Sequence, residues 1–240
     1  AGTTGYDFLN RVGGLFVDPA GERPLTDLYA EFTSESIDYP ALVRAKKHQA
    51  LHELLGSDVN RLTALFMEVC ERHRRHRDYT RYELNEALRE VVACFPVYRT
   101  YVQAEAGHVT DDDIRDVTEA VERAKSWRPE LDAALFDFLH DLLLLRVRGD
   151  LEGELVMRFQ QLTGPTMAKG LEDTVFNGCN RLVARNDVGA DPGHFGVSPA
   201  AFHQACLEAQ QRWPQGMLAT STHDTKRSED VRVRIHLLSE

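Results

Sequence analysis

Apolar residues recur at helical spacing along most of the chain. In PALVRAKKHQALHELLG, residues 40–56, Leu42, Ala45, Leu51, Leu54 and Leu55 follow a three-to-four-residue period, with Pro40 near the first turn and Gly56 as the stop. SDVNRLTALFMEVCERHRRHR, residues 57–77, places Leu62, Leu65, Phe66, Val69 and Cys70 on one face, with Ser57 or Asp58 as its cap. YELNEALREVVACF continues the pattern until Pro96, and VYRTYV, residues 97–102, reads as extended. Thr110 and the run Asp111 to Asp113 then open another helix, where negative charge near an N-terminus is favourable. ELDAALFDFLHDLLLLRVRG follows Pro129 and ends at Gly149, and further helical patterns cover roughly 151–163, 165–184 and 198–213.

The two ends depart from this pattern. Residues 1–24 hold glycines and prolines around TTGYDF and GGLFVDP, which predicts a short strand and an irregular loop rather than a helix. Near the other end GMLATSTHDT is apolar and then polar, as a buried strand running into a loop would be, and KRSEDVRVRIHLLSE returns to helix. Two strands do not make a stable sheet in water, so they belong to a sheet whose other strands lie elsewhere.

Composition narrows the function classes. The 240 residues are 42% hydrophobic and 28% charged, enough for a sizeable core, and the formal net charge of −10 argues against broad contact with nucleic acid or an acidic membrane. Cys70, Cys94, Cys179 and Cys206 show no CxxC or zinc-ligand spacing and read as reduced, mostly buried thiols. The longest apolar run, LLLL at 142–145, is too short to span a bilayer, and no leader pattern precedes TTGYDF, so a cytoplasmic location is the default. The absence of an initiator Met suggests that the chain begins inside a longer one.

Several clusters carry potential chemistry. His73 and His76 in ERHRRHR face similarly on a helix, but no acidic or Cys partner is near in sequence, and basic residues in a last turn complement the helix dipole. Tyr98 and Arg99 offer an aromatic face and a planar donor suited to polar ligands. TGPTMAKGLEDT joins a Gly-Pro turn to a helix carrying Lys169 and Glu172 at the spacing of an ion pair. RNDVGADPGHFG, residues 185–196, lacks the ordered glycine pattern of a phosphate cradle, and there is no GxSxG elbow. In STHDTKRSED, residues 221–230, His223 and Asp224 stand side by side among hydroxyls, and Thr225 or Ser228 is placed to cap the helix that follows.

Taken together, GTTGYDFLNRVGGLFVDPAGE, FPVYRTYV, LTGPTMAKGLEDT and MLATSTHDTKRSEDVR resemble, in order and over essentially the whole chain, the maltooligosyl trehalose synthases of the α-amylase superfamily of (β/α)8-barrel enzymes. The resemblance implies a mainly α fold: a helical insertion domain bracketed by strand segments of an incomplete (β/α)8 barrel. The expected divisions are 1–24 as barrel strand and loop, 25–163 as the insertion, and 164–240 as the return to the barrel, with a strand and the His-Asp motif at 217–224. The implied activity converts the reducing-end α-1,4 linkage of a maltooligosaccharide into an α,α-1,1 linkage by intramolecular transglycosylation. Asp224 matches the transition-state-stabilising carboxylate and His223 a sugar-binding donor, while Tyr98, Arg99, Lys169 and Glu172 fall in motifs of the reducing-end side of the cleft. The nucleophilic Asp and the general-acid Glu are expected on barrel strands preceding this chain, so these residues alone are expected to catalyse nothing.

No metal or cofactor is implied. The implied partner is the maltooligosaccharide, with the trehalose-releasing hydrolase of the same pathway as a further candidate, and with no nucleic acid and no membrane. Two other readings compete: a non-catalytic helical interaction module, and an α-amylase-like hydrolase, which would lack GTTGYDFLNR and GPTMAKGLEDT. FNGCNRLVARNDVGADP departs from the family pattern, which has an aromatic-rich helix followed by Asn-Glu-Val-Gly-Gly. Here Gly178 within a helix costs roughly 1 kcal/mol relative to Ala, and Asp187 is one methylene shorter than Glu, which puts that segment's substrate contacts in question.

Overall fold

The computed structural model describes residues 5–35 and 38–240. The chain divides into two compact units, one of Val43–Leu171 and one of Ala1–Leu42 with Glu172–Glu240. The fold is mainly α, and a single isolated antiparallel bridge, Gln103 with His108, is the β pairing among the described residues.

The Val43–Leu171 unit takes the end of α3 (Tyr39–Glu53) and then α4 (Gly56–Arg72), α5 (Arg81–Ala93), α6 (Asp111–Trp127), α7 (Ala133–Leu143) and α8 (Asp150–Met167). The apolar face read in α4 is the buried one: Leu62, Phe66, Val69 and Cys70 pack with Leu84, Leu88, Phe136, Leu139, Leu155 and Phe159 into one continuous core. Two helices start on reciprocal caps. Thr80 Oγ1 accepts from the Glu83 amide while Glu83 accepts from the Thr80 amide, and Thr110 and Asp113 repeat the exchange at α6. The cap expected at Ser57 or Asp58 is not used, because α4 begins one residue earlier at Gly56 and its N-cap, Leu55, has no side-chain acceptor.

VYRTYV is held by side chains rather than by a strand. The Val102 amide donates to Gln160 Oε1 at 2.8 Å and the Gln160 amide returns to the Val102 carbonyl at 3.0 Å, so one glutamine supplies both bonds a neighbouring strand would give. The two histidines of ERHRRHR do not form a pair of ligands. His73 Nε2 lies 2.9 Å from Glu152 Oε1, and the His76 ring stacks on Phe138 with centroids 3.9 Å apart.

In the other unit the described part opens with α1 (Tyr6–Leu15), where a strand and loop were expected; residues 1–4 of that segment lie outside the described residues. Gly13 and Gly14 look like helix breakers, but both lie within the helix, and Gly14 serves close packing. A Cβ on Gly14 would stand 2.4 Å from Val197 Cγ2, so the glycine lets α1 settle against that residue. A short turn at Pro19–Gly21 leads to α2 (Glu22–Thr33), and later come α9 (Pro199–Arg212) and α10 (Glu229–His236). Val17, Leu182 and Phe195 form a small core, while α2 and α9 bury none of their residues fully.

The strand expected at 217–224 is not formed either: these residues are irregular, and Met217 and Leu218 are 63% and 72% exposed. A strand needs a neighbour for its amides and carbonyls, and no described segment offers one.

Candidate functional site

α1 places Tyr6 beside the residues the sequence singled out. Its start is set by Gly5, at φ 90, where a Cβ would stand 2.8 Å from the Ala219 amide nitrogen; any other side chain there would meet both strain and a clash. Gly189, at φ +71, lies equally close under Tyr6, its ideal Cβ 3.1 Å from Tyr6 Cβ. Asn10 ties the two segments by donating to the Tyr6 carbonyl at 2.9 Å and the Val188 carbonyl at 2.8 Å.

The Tyr6 hydroxyl donates to Asp224 Oδ2 at 3.2 Å, and His223 Nε2 lies 3.1 Å from the same oxygen. Both side chains of the His-Asp pair are largely open to solvent, at 79% and 58% exposure, so the carboxylate keeps lone pairs for hydroxyl ligands after engaging Tyr6 and His223. The turn carrying them is closed by Thr225, whose Oγ1 donates to the Thr222 carbonyl at 2.9 Å. Neither Thr225 nor Ser228 caps α10 through its side chain; Ser221 Oγ instead accepts from the Glu229 amide at 3.0 Å.

Beneath the turn sits a buried charge pair that local sequence reasoning missed. Asp187 Oδ2 is 3.3 Å from Arg232 Nη1, with side-chain exposures of 2% and 6%. Asp187 Oδ1 accepts from the Val188 amide at 2.8 Å and the Lys226 amide at 3.3 Å. Asp187 therefore points into the protein and makes structural bonds, away from any ligand in solvent. The same segment holds Gly178 at the end of a short helical piece, where a Cβ would meet nothing within 4 Å, so the interior-glycine cost does not fall there in full. Asn186 anchors that end by donating to the Phe176 and Cys179 carbonyls at 3.0 and 2.7 Å.

The remaining candidates lie in different units. Tyr98, Arg99 and Lys169 belong to Val43–Leu171, and Glu172 lies with His223 and Asp224 in the other. Arg99 is half-buried with its guanidinium 4.7 Å above the Tyr101 ring, and Nε donates to the Thr100 carbonyl at 3.2 Å. Tyr98 is half-buried as well, whereas Lys169 is exposed. Lys169 and Glu172 sit on a π-helical stretch, Ala168–Val175, that continues from α8 after the internal Pro165; such widened turns are frequent at functional sites.

Among the described residues no group of three or more His, Cys, Asp or Glu side chains is placed to hold a metal ion, and no helix is long and apolar enough to cross a membrane.

No protein-family model matches the chain. Two proteins from strains of Mycobacterium tuberculosis, each provisionally named maltooligosyl trehalose synthase, are 36% identical over all of this chain and 28% of their own length. Among solved structures, maltooligosyltrehalose synthase from Arthrobacter ramosus matches 99% of this chain and 28% of its own at 34% identity and a TM-score of 0.82. A hypothetical maltooligosyl trehalose synthase from Sulfolobus tokodaii matches 99% of this chain and 27% of its own at 28% identity and a TM-score of 0.68. The chain is a homologue of the maltooligosyl trehalose synthases and spans 28% of the length of the curated relatives it matches.

Proposed function

We propose that this chain supplies the sugar-gripping turn, His223 and Asp224, of an enzyme that converts the reducing-end α-1,4 linkage of a maltooligosaccharide into an α,α-1,1 linkage. In the retaining scheme a carboxylate attacks the anomeric carbon as the bond to the terminal glucose breaks, and a carboxylic acid protonates the departing oxygen. The 1-hydroxyl of the released glucose then displaces the enzyme carboxylate and gives up its proton, forming the new linkage. This reading assigns the nucleophile and the acid to residues of the longer enzyme outside this chain.

The observation that carries the reading is the Asp224 carboxylate, held at one oxygen by Tyr6 and His223 and open to solvent at 58% exposure. A carboxylate held in this way can bind ring hydroxyls and favour the positive charge that grows on the ring as the bond breaks, an interaction that strengthens only toward the transition state. His223 donates to a neighbouring hydroxyl. Tyr98, Arg99, Lys169 and Glu172 retain the released glucose while it turns. Replacing each by Ala in the longer enzyme is expected to raise hydrolysis at the expense of transfer.

The test has two arms. Purified chain incubated with maltopentaose should leave both reducing ends and chain length unchanged, while Asp224→Asn in the longer enzyme should lower kcat by roughly 100-fold or more. Loss of reducing ends at constant length by the chain alone would show that its own carboxylates do the chemistry. Unchanged turnover in the Asp224→Asn enzyme would remove Asp224 from the mechanism.

A further inference from the structure

The turn that presents His223 and Asp224 is bonded mainly to itself. Thr225 Oγ1 donates to the Thr222 carbonyl and accepts from the Thr222 amide, the Thr225 amide donates to the same carbonyl at 3.4 Å, and the Asp224 amide donates to Thr222 Oγ1 at 3.3 Å. The preceding Met217 and Leu218 are exposed. Bonds confined to Thr222–Thr225 shape the turn without fixing it in place; something outside it must do that.

The Asp187–Arg232 pair does so at three points. The Arg232 guanidinium donates to the Thr220 carbonyl and, at 2.5 Å, to the Arg227 carbonyl, the residues that bracket the turn. Asp187 receives the Lys226 amide directly. Burying both charges is costly, and attraction between them offsets that cost only when their remaining donors and acceptors are also used. Here those donors and acceptors go to the backbone of the turn. The planar fork of arginine is what allows one side chain to face a carboxylate and two carbonyls together.

We propose that Asp187 is a positioning residue: through Arg232 and the Lys226 amide it fixes the backbone from Thr220 to Arg227, so that the His223 and Asp224 side chains are presented together. Its consequence for turnover rests on the sugar-gripping reading of those two residues, whereas the positioning itself does not.

Amide hydrogen exchange on the 240-residue chain separates the two. In Asp187→Asn, Asp224 and Lys226 should exchange roughly tenfold faster or more, the factor that loss of one charge-assisted hydrogen bond implies, with α9 unchanged. Asp187→Glu keeps the carboxylate and should restore most of the protection. Arg232→Lys keeps the charge but loses the fork, and should loosen the same residues; it carries the same outcomes should Asp187→Asn not fold. Exchange unaltered across Thr220–Arg227, or raised evenly through Glu172–Glu240, would overturn the proposal. In the longer enzyme, Asp187→Asn should lower kcat with little change in KM, and Asp187→Glu should recover it. A loosened turn with full kcat would keep the positioning role and refute the sugar-gripping one.

Discussion

Glu90→Gln removes the charge around which one side of the Val43–Leu171 unit is built. The Glu90 carboxylate is fully buried, Arg44 forks onto its two oxygens at 2.5 and 2.6 Å, and His48 Nε2 lies 3.1 Å from Oε2. The Cys94 thiol donates to Oε1 at 3.4 Å. Burial alone would raise the acid's pKa, but the hydrogen bonds from His48 and Arg44 outweigh it and hold the pKa at about 2, against a usual 4.5. At about 1.4 kcal/mol per unit, that depression corresponds to about 3 kcal/mol of stability at neutral pH. Arg44 and His48 are each 24% exposed, so solvent screens part of the attraction and the net is nearer to about 2 kcal/mol.

The sign follows from the depressed folded pKa. The contribution is complete above the unfolded value and disappears as pH falls from about 4.5 toward about 2. Gln leaves a neutral amide facing Arg44, so urea unfolding followed by helical circular dichroism should show a loss of about 2–3 kcal/mol at neutral pH, with a midpoint temperature lower by roughly 4–12 °C. The gap between wild type and variant should narrow on acidification. A loss below about 1 kcal/mol at neutral pH, or a gap that is constant down to about pH 2.5, would refute the assignment of the low pKa to these partners.

Lys47 gives a slope of the same sign in a higher pH window. Its ammonium is buried and donates to the Phe95 carbonyl at 2.8 Å, and burial pulls its pKa down to about 8. The unfolded chain binds more protons between about 8 and about 10.5, so Lys47 makes stability rise with pH over that window; Lys47→Met should abolish this part of the slope in paired unfolding curves. For the thiols, burial pushes Cys70 and Cys94 up to about 12 and raises Cys179 as well, while Cys206 is partly exposed. A disulfide reagent at neutral pH should therefore modify one thiol quickly, lost in Cys206→Ser, and the other three only on unfolding.

Helical periodicity was a sufficient guide where a single face is buried, as in α4, because apolar spacing and burial are there the same fact. It failed at α1 because glycine has two uses that look alike in sequence. Gly13 and Gly14 suggest a loop, and only the nearness of Val197 shows that Gly14 is there for close packing. It failed again at Met217 and Leu218, where an apolar pair has the look of a strand but finds no pairing partner. The His-Asp pair was visible because its residues are adjacent and sit in a distinctive motif. Its supports were not: Tyr6 reaches Asp224 across 218 positions and Asp187 reaches Arg232 across 45, separations at which no local pattern survives. A hint was Asp187 inside RNDVGADP, which reads as a loop charge and is in fact buried.

The glutamine that clasps Val102 also closes an edge on which a second copy could otherwise pair. An extended run with an open hydrogen-bonding edge is a template on which a second copy can add. With Gln160 filling both backbone positions of Val102, that edge is already occupied from within the molecule at its most buried point. The price of the arrangement is a polar side chain in the core, and the return is that an aromatic-rich segment beside Tyr98 and Tyr101 has no vacant register there for intermolecular pairing. Changing Gln160 to Leu would fill the same space, yet leave a donor and an acceptor unmet and turn a quiet loop into a nucleus for self-association.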